Sequence, residues 1–267
     1  MAESYTMNEL ETLSSLSFTD FKQRYLSTAT ADLIGFSSHY ADFTAERVIE
    51  RLYLISAMLV INAKKFNLTS IVEPGEIIRK HIVDSLIPLG LLLDHGITPR
   101  RLMDVGTGAG FPLLPMATAL AEISPKSAAI GLDATGKKIA HITEVANICA
   151  LPSVSAIHGR AEEISHDILR EKSDLVVARA VADLSVLVEL CAPLTSFGGH
   201  FAALKSHADD EISASAHGAK LCGLTFLEKI DYEIPGGDTR CLIIFEKTSS
   251  TPTLYPRRYA EITKKPL

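Results

Sequence analysis

Within seven residues an acid is followed by three alternating glycines: Asp104, Gly106, Gly108 and Gly110. Glycine lets the backbone turn tightly and come close to a ligand, and a helix starting just beyond such a turn presents free N–H groups to a carboxylate or phosphate. A second acid, Asp133, ends the next apolar run and precedes Ala134 and Thr135. Its carboxylate is a suitable acceptor for the paired hydroxyls of a ribose. Three further apolar runs end in cations, at Arg160, Arg179 and Lys205, which suit phosphates or a ligand carboxylate. Such a set would bind a nucleoside-bearing cofactor beside an anionic substrate.

Each residue also has a plainer reading. Gly106 and Gly110 could shape only a strand-to-helix turn, and Asp133 could only cap the helix that follows. Glu162, next to Ala161 and Glu163, stands at a helix start, where acids are favoured in any case. Arg179 is harder to dismiss, because a charge closing the apolar run 175–178 is costly to bury without a partner. His81 shares a helical face with Ile78, Ile82 and Ser85, and could be a core histidine paired with Asp84 or Asp104. Asn67 reads on its own as a helix terminator.

The elements that would position these groups follow from periodicity. Val48, Leu52, Ile55 and Leu59 recur at helical spacing and predict a helix over 46–66. Ile78, Ile82, Leu86 and Leu89 predict a second over 76–93, with Pro88 placed to kink or break it. From 101 onward the pattern changes to short apolar runs at 102–105, 128–132, 154–157, 174–178 and 199–204. These alternate with helical stretches at 112–121, 137–149, 184–194 and 209–222. That alternation implies βαβ units and a parallel sheet covered on both faces. Two extended runs, 224–234 and 239–247, are joined by Pro235, Gly236, Gly237 and Asp238 and read as a hairpin. The expectation is an α/β fold: a Rossmann-like class I S-adenosylmethionine-dependent methyltransferase with a mostly parallel seven-stranded sheet, a terminal β-hairpin and an N-terminal helical extension. The hairpin and the GxGxG spacing, in place of GxGxxG, favour S-adenosylmethionine over a nicotinamide dinucleotide. The division is a helical region at 1–95, the methyltransferase domain at 96–248 and a basic C-terminal tail at 249–267.

The 267 residues carry a net charge of −6, which argues against a surface coated in positive charge for general nucleic-acid binding. Local basic pairs remain, among them Lys64-Lys65, Arg79-Lys80, Arg257-Arg258 and Lys264-Lys265. The four cysteines lack metal-ligand spacing and read as reduced packing residues of a cytoplasmic protein, and no metal is expected. The first 16 residues contain three glutamates and no cation, unlike a signal peptide, and nowhere is there an apolar run long enough to span a membrane. With no interface motif in sight, a monomer is the default.

Several ordered phrases resemble one family. They are 67–70 (Asn-Leu-Thr-Ser), 79–86 (Arg-Lys-His-Ile-Val-Asp-Ser-Leu), 104–112 (Asp-Val-Gly-Thr-Gly-Ala-Gly-Phe-Pro), 158–163 (His-Gly-Arg-Ala-Glu-Glu), 178–180 (Ala-Arg-Ala) and 203–206 (Ala-Leu-Lys-Ser). They are similar to the glucose-inhibited division protein B family, the bacterial small-subunit ribosomal RNA methyltransferase G, and the likeness runs from about residue 46 to the tail. The resemblance implies methylation of N7 of one guanine in the decoding region of 16S rRNA, with the rRNA or the small-subunit particle as partner. It also implies that Gly106, Gly108, Phe111, Asp133, Ala134, Thr135, Ala161, Glu162 and Arg179 contact S-adenosylmethionine. Asn67, His81, Arg160 and Lys205, with Arg179, would form the RNA-facing catalytic pocket.

The chemistry agrees. Guanine N7 has an in-plane lone pair and needs no base, so catalysis can rest on proximity and alignment. The chain has neither an Asn/Asp-Pro-Pro-aromatic segment for exocyclic amines nor a Pro-Cys loop for attack on a pyrimidine. The alternatives are a methyltransferase of the same fold for a small metabolite, and a non-catalytic ribosome-binding module. The intact glycine loop speaks against the second. A nicotinamide-dependent oxidoreductase is disfavoured by the loop spacing and by the lack of a Tyr-x-x-x-Lys motif.

Overall fold

The structure, a computed structural model, describes residues 5–31, 35, 37–66 and 68–267, with backbone only at 31 and 66. Among the described residues the chain opens with the helices α1 (Met7–Ser14), α2 (Phe18–Ala31), α3 (Tyr40–Phe43) and α4 (Glu46–Phe66). Next, α5 (Pro74–Ile77) runs through a π turn (Ile78–Val83) straight into α6 (Asp84–Asp94). Pro88 therefore does not break the helix. The irregularity lies upstream, where the Asp84 N–H donates to the Arg79 carbonyl five residues back. Residues 84–90 are all buried, and this packing sustains the helix around the proline.

The seven strands are β1 (Arg101–Val105), β2 (Ala128–Asp133), β3 (Val154–His158), β4 (Ser173–Arg179), β5 (Thr195–Lys205), β6 (Leu224–Ile234) and β7 (Asp238–Lys247). They form one sheet in the order β3-β2-β1-β4-β5-β7-β6. The first five are parallel, while β7 is antiparallel to both β5 and β6. Strand order reverses between β1 and β4, so a crevice opens there at the carboxyl ends of the strands. The connecting helices are α7 (Leu113–Ile123), α8 (Gly136–Ile148), α9 (Ala161–Ile164), α10 (Leu184–Cys191) and α11 (Asp209–Leu221). The helical stretch expected to reach 194 tightens into a 3₁₀ turn at Ala192–Leu194, and β5 begins at once, four residues earlier than the apolar run indicates.

Strand periodicity divides the core in two. Leu102, Leu175, Val177, Ala202, Leu242 and Ile244 face the N-terminal helices and α7 in one cluster. Their neighbours Met103, Val176, Phe201, Ala203, Ile243 and Phe245 face α10, α11 and the C-terminal segment in the other. The N-terminal helices thus share one side of the sheet with α7 and α8.

Residues after β7 are held down by charge-assisted hydrogen bonds. Arg170 donates to the carbonyls of Thr251, Pro252 and Tyr255. Glu189, fully buried on α10, accepts from the backbone N–H, Nε and Nη2 of Arg257 at 2.6–2.9 Å. Past Arg258 the chain forms α12 (Tyr259–Lys264), whose Ile262 is buried in the second cluster. Removing one member of a buried ion pair strands the other charge, which costs about 3–5 kcal/mol. Arg257→Ala should therefore lower the free energy of urea unfolding by that order, whereas exposed Arg258→Ala should leave it within about 0.5 kcal/mol.

Candidate active site

The turn after β1 carries the glycines. Gly106, Gly108 and Gly110 all have positive φ, at 74°, 59° and 91°. The N–H groups of Gly106 and Thr107 donate to the Leu132 carbonyl at 2.8 and 3.0 Å, which stitches the turn to the end of β2. A Cβ on Gly106 would stand 2.5 Å from Cγ2 of Val181, so a side chain there would close the crevice between β1 and β4.

Asp104 is fully buried and its Oδ2 accepts from the Leu113 N–H, the first of α7, at 3.2 Å. The anion at this helix N-terminus is thus the protein's own. Burial pushes the Asp104 carboxyl up to about 6. Asp133 uses both oxygens: Oδ2 takes the Gly108 N–H at 3.0 Å and Oδ1 the Thr135 N–H at 2.8 Å. Each oxygen keeps a further lone pair for a ligand hydroxyl.

Beside this turn lies a cavity of about 230 Å³, whose lining includes Gly106, Leu132, Asp133, Ala134, Arg160, Ala161, Glu162, Val181, Leu190 and Tyr259. Apolar walls with two carboxylates at the strand ends suit the nucleoside of S-adenosylmethionine, a base between aliphatic side chains and a ribose on an acid. Glu162 is nearly buried, and its ion-pair contact is with Arg160 at 4.0 Å.

A larger cavity, about 560 Å³, opens on the other side of the residues following β4. Its lining includes Lys80, His81, Asp84, Arg179, Lys205, Tyr232 and Arg240. Asp84, on the helix that follows the π turn, is shared by two arginines: Arg179 Nη1 lies 3.0 Å from Oδ2 and Arg240 Nε 3.4 Å from Oδ1. Burial pushes the Asp84 carboxyl above its usual range, against the pull of both guanidinium groups. Arg179 also donates to the Lys80 carbonyl, Lys205 pairs with Glu211, and Lys80 pairs with Glu76. His81 stacks on Phe111 at 4.5 Å between centroids, and its Nε2 is 3.4 Å from the Thr69 hydroxyl. Burial, then the Arg179 charge, pushes the His81 imidazole down to about 4, so the ring is neutral near pH 7.

The structure brings His81, Arg179 and Lys205 into the larger cavity, with Phe111 behind His81. Of the residues expected at the cofactor, Gly106, Asp133, Ala134, Ala161 and Glu162 line the smaller cavity and Gly108 and Thr135 act through their N–H groups on Asp133, whereas Arg179 and Phe111 lie with the larger cavity. Arg160 does not join the other residues expected to face RNA: it borders the smaller cavity, its side chain half exposed. Asn67 lies outside the described residues. Neither Asp84 nor Asp104 is the hydrogen-bond partner of the His81 ring. Sequence reading overlooked Arg240, Tyr232 and Tyr259, and took Asp84 only as a possible partner of His81. The one available signal was Arg240 standing directly before the apolar run 241–245 of the hairpin strand. Among the described residues no group of three or more His, Cys, Asp or Glu could hold a metal ion, and no helix is long and apolar enough to cross a membrane.

Comparison with known proteins gives a consistent picture. The profile of the GidB family, described as rRNA small subunit methyltransferase G, matches residues 49–231. The ribosomal RNA small subunit methyltransferase G of Streptococcus uberis is 35% identical over 239 residues, covering 88% of this chain and 96% of that protein. That of Lactobacillus johnsonii is 39% identical over 207 residues, covering 76% and 85%. A crystal structure of a SAM-dependent methyltransferase from Aquifex aeolicus superposes with a TM-score of 0.50 at 14% identity, over 67% of this chain and 96% of that one, and shares the fold.

The His81 environment sets a pH dependence. Its folded value of about 4 lies below the ordinary 6.5, so the unfolded chain binds the proton more tightly, and the group's contribution to stability is lost as pH falls from about 6.5 to about 4. In denaturant unfolding across that range, His81→Phe should gain stability relative to the parent as pH decreases. A difference independent of pH would show that His81 is not held neutral by its surroundings.

Proposed function

The chain belongs to the rRNA small subunit methyltransferase G family, and from that premise we propose that it methylates N7 of one guanine in the decoding region of 16S rRNA. It is a methyltransferase, and S-adenosylmethionine is its methyl donor, supplying a methyl group on a positively charged sulfur. In the proposal Gly106, Gly108, Asp133, Ala134, Thr135, Ala161 and Glu162 hold the cofactor in the smaller cavity, and the guanine enters the larger one. Arg179, in the segment between the two cavities, faces both reactants, and Phe111 backs the wall formed by His81.

The observation that carries the reading is how charge is matched in the larger cavity. Arg179 and Arg240 share Asp84, Lys205 has Glu211, Lys80 has Glu76, and His81 is neutral. A base methylated at N7 becomes a cation, and three carboxylates offset all but one of the four side-chain cations, so the pocket opposes that charge only weakly. The guanidinium groups keep N–H donors for the acceptor O6 beside N7, the edge that arginine reads on guanine. N7 needs no deprotonation, so a neutral, buried His81 serves as a wall that fixes the ring and excludes water, with no proton to transfer. Arg160, half exposed, is proposed to meet backbone phosphate. Asn67 enters from the family resemblance alone. Action as a monomer in the cytoplasm, where the ribosomes are, completes the proposal.

The direct test is methyl transfer from labelled S-adenosylmethionine to hypomethylated small-subunit rRNA and particles, followed by nucleoside mapping. Label as 7-methylguanosine at one decoding-region position is expected, and Asp84→Asn should reduce kcat by about tenfold or more by releasing both arginines. Label in another nucleoside, or none with either substrate, would refute the N7 reading.

A further inference from the structure

The family match ends at residue 231, yet residues well beyond it reach the cofactor cavity. Tyr259, the first residue of α12, lines the smaller cavity together with Gly106, Asp133, Glu162 and Leu190. Its ring is partly buried and packs against the second core cluster. The segment that delivers it is anchored on both sides. Before Tyr259, Arg257 is fixed by the buried carboxylate of Glu189, and His166 Nε2 lies 2.9 Å from the Pro256 carbonyl. After it, Ile262 is fully buried. Glu189 and Leu190 are neighbours on α10, so the anchor of the strap and a wall of the cavity belong to the same helical turn.

We propose that the C-terminal strap is part of the cofactor site, with the Tyr259 ring as a positioning wall against the nucleoside of S-adenosylmethionine. The inference rests on the cofactor reading above and goes beyond it, because the sequence marks 249–267 only as a basic tail and assigns none of its residues to the cofactor. Geometry divides the tail differently. Arg257 is spent on Glu189, Tyr259 lines the smaller cavity, and Arg258 stays exposed. An aromatic wall suits a purine, whose flat face gains from an offset ring beyond simple area burial.

The test is calorimetric titration of S-adenosylmethionine into the full chain without RNA, comparing the parent with Tyr259→Phe and Tyr259→Ala. Tyr259→Phe should bind like the parent and Tyr259→Ala about three- to tenfold more weakly. The melting temperature of the ligand-free Ala variant reports whether the strap remains folded. A variant that fails to fold is bypassed by hydrogen exchange on the parent, where adding S-adenosylmethionine should slow exchange across residues 257–264. Affinity within twofold of the parent in a folded Tyr259→Ala protein, or unchanged exchange in this segment, would overturn the proposal. Failure of the parent itself to bind would instead reject the cofactor reading, so the two failures are distinguishable.

Discussion

Asp84 stands on a helix that packs with the N-terminal half of the molecule, yet the two groups it satisfies come from the end of β4 and from β7. A buried carboxylate is costly unless paired, and so are the two arginines that reach it. No member of the set can leave without stranding the others. That mutual dependence fixes the wall of the larger cavity: the π turn sets the direction of Lys80 and His81, Arg179 is held at the crevice between β1 and β4, and Arg240 is drawn inward from the hairpin. Arg79 reinforces the arrangement from outside, donating to the Pro235 carbonyl and to Asp238 at the hairpin turn.

The two cavities differ in how they handle charge. Around the smaller one, Asp133 has its oxygens directed by backbone N–H groups of the glycine turn and of the turn after β2, so ligand hydroxyls would meet an already oriented acceptor. Around the larger one, three side-chain carboxylates offset most of the charge of four side-chain cations. In the reading proposed above, a methyl donor bearing a positive sulfur and a base that becomes positive thus meet little uncompensated positive charge.

Much of this was legible in the sequence because it obeys local rules. Apolar runs mark β1 to β5, the Pro-Gly-Gly-Asp turn marks the hairpin, and alternating glycines mark the loop whose positive φ values the structure records. Legibility ended where a residue's meaning depends on a distant partner. Arg257 reads as part of a basic tail, and only the fold reveals Glu189 beneath it. Arg240 reads as a charge on a hairpin, and only the packing of β7 beside β5 aims it at Asp84. The π turn has no periodic signature, since it adds one residue to an otherwise regular helix.

Chain connectivity gives the hairpin a second consequence. Asp84 and Arg179 are 95 positions apart, and Arg79 and Asp238 are 159 apart. Contacts of such span carry a large loop-closure entropy and form only after the intervening sheet has organised. A chain in which β6 and β7 have not yet docked could hold five parallel strands and the glycine turn but would lack Arg240 and Tyr232, and with them one side of the larger cavity. Because the strap carrying Tyr259 follows β7, docking of the hairpin completes both proposed sites together: the larger cavity gains Arg240 and Tyr232, and the smaller one gains Tyr259.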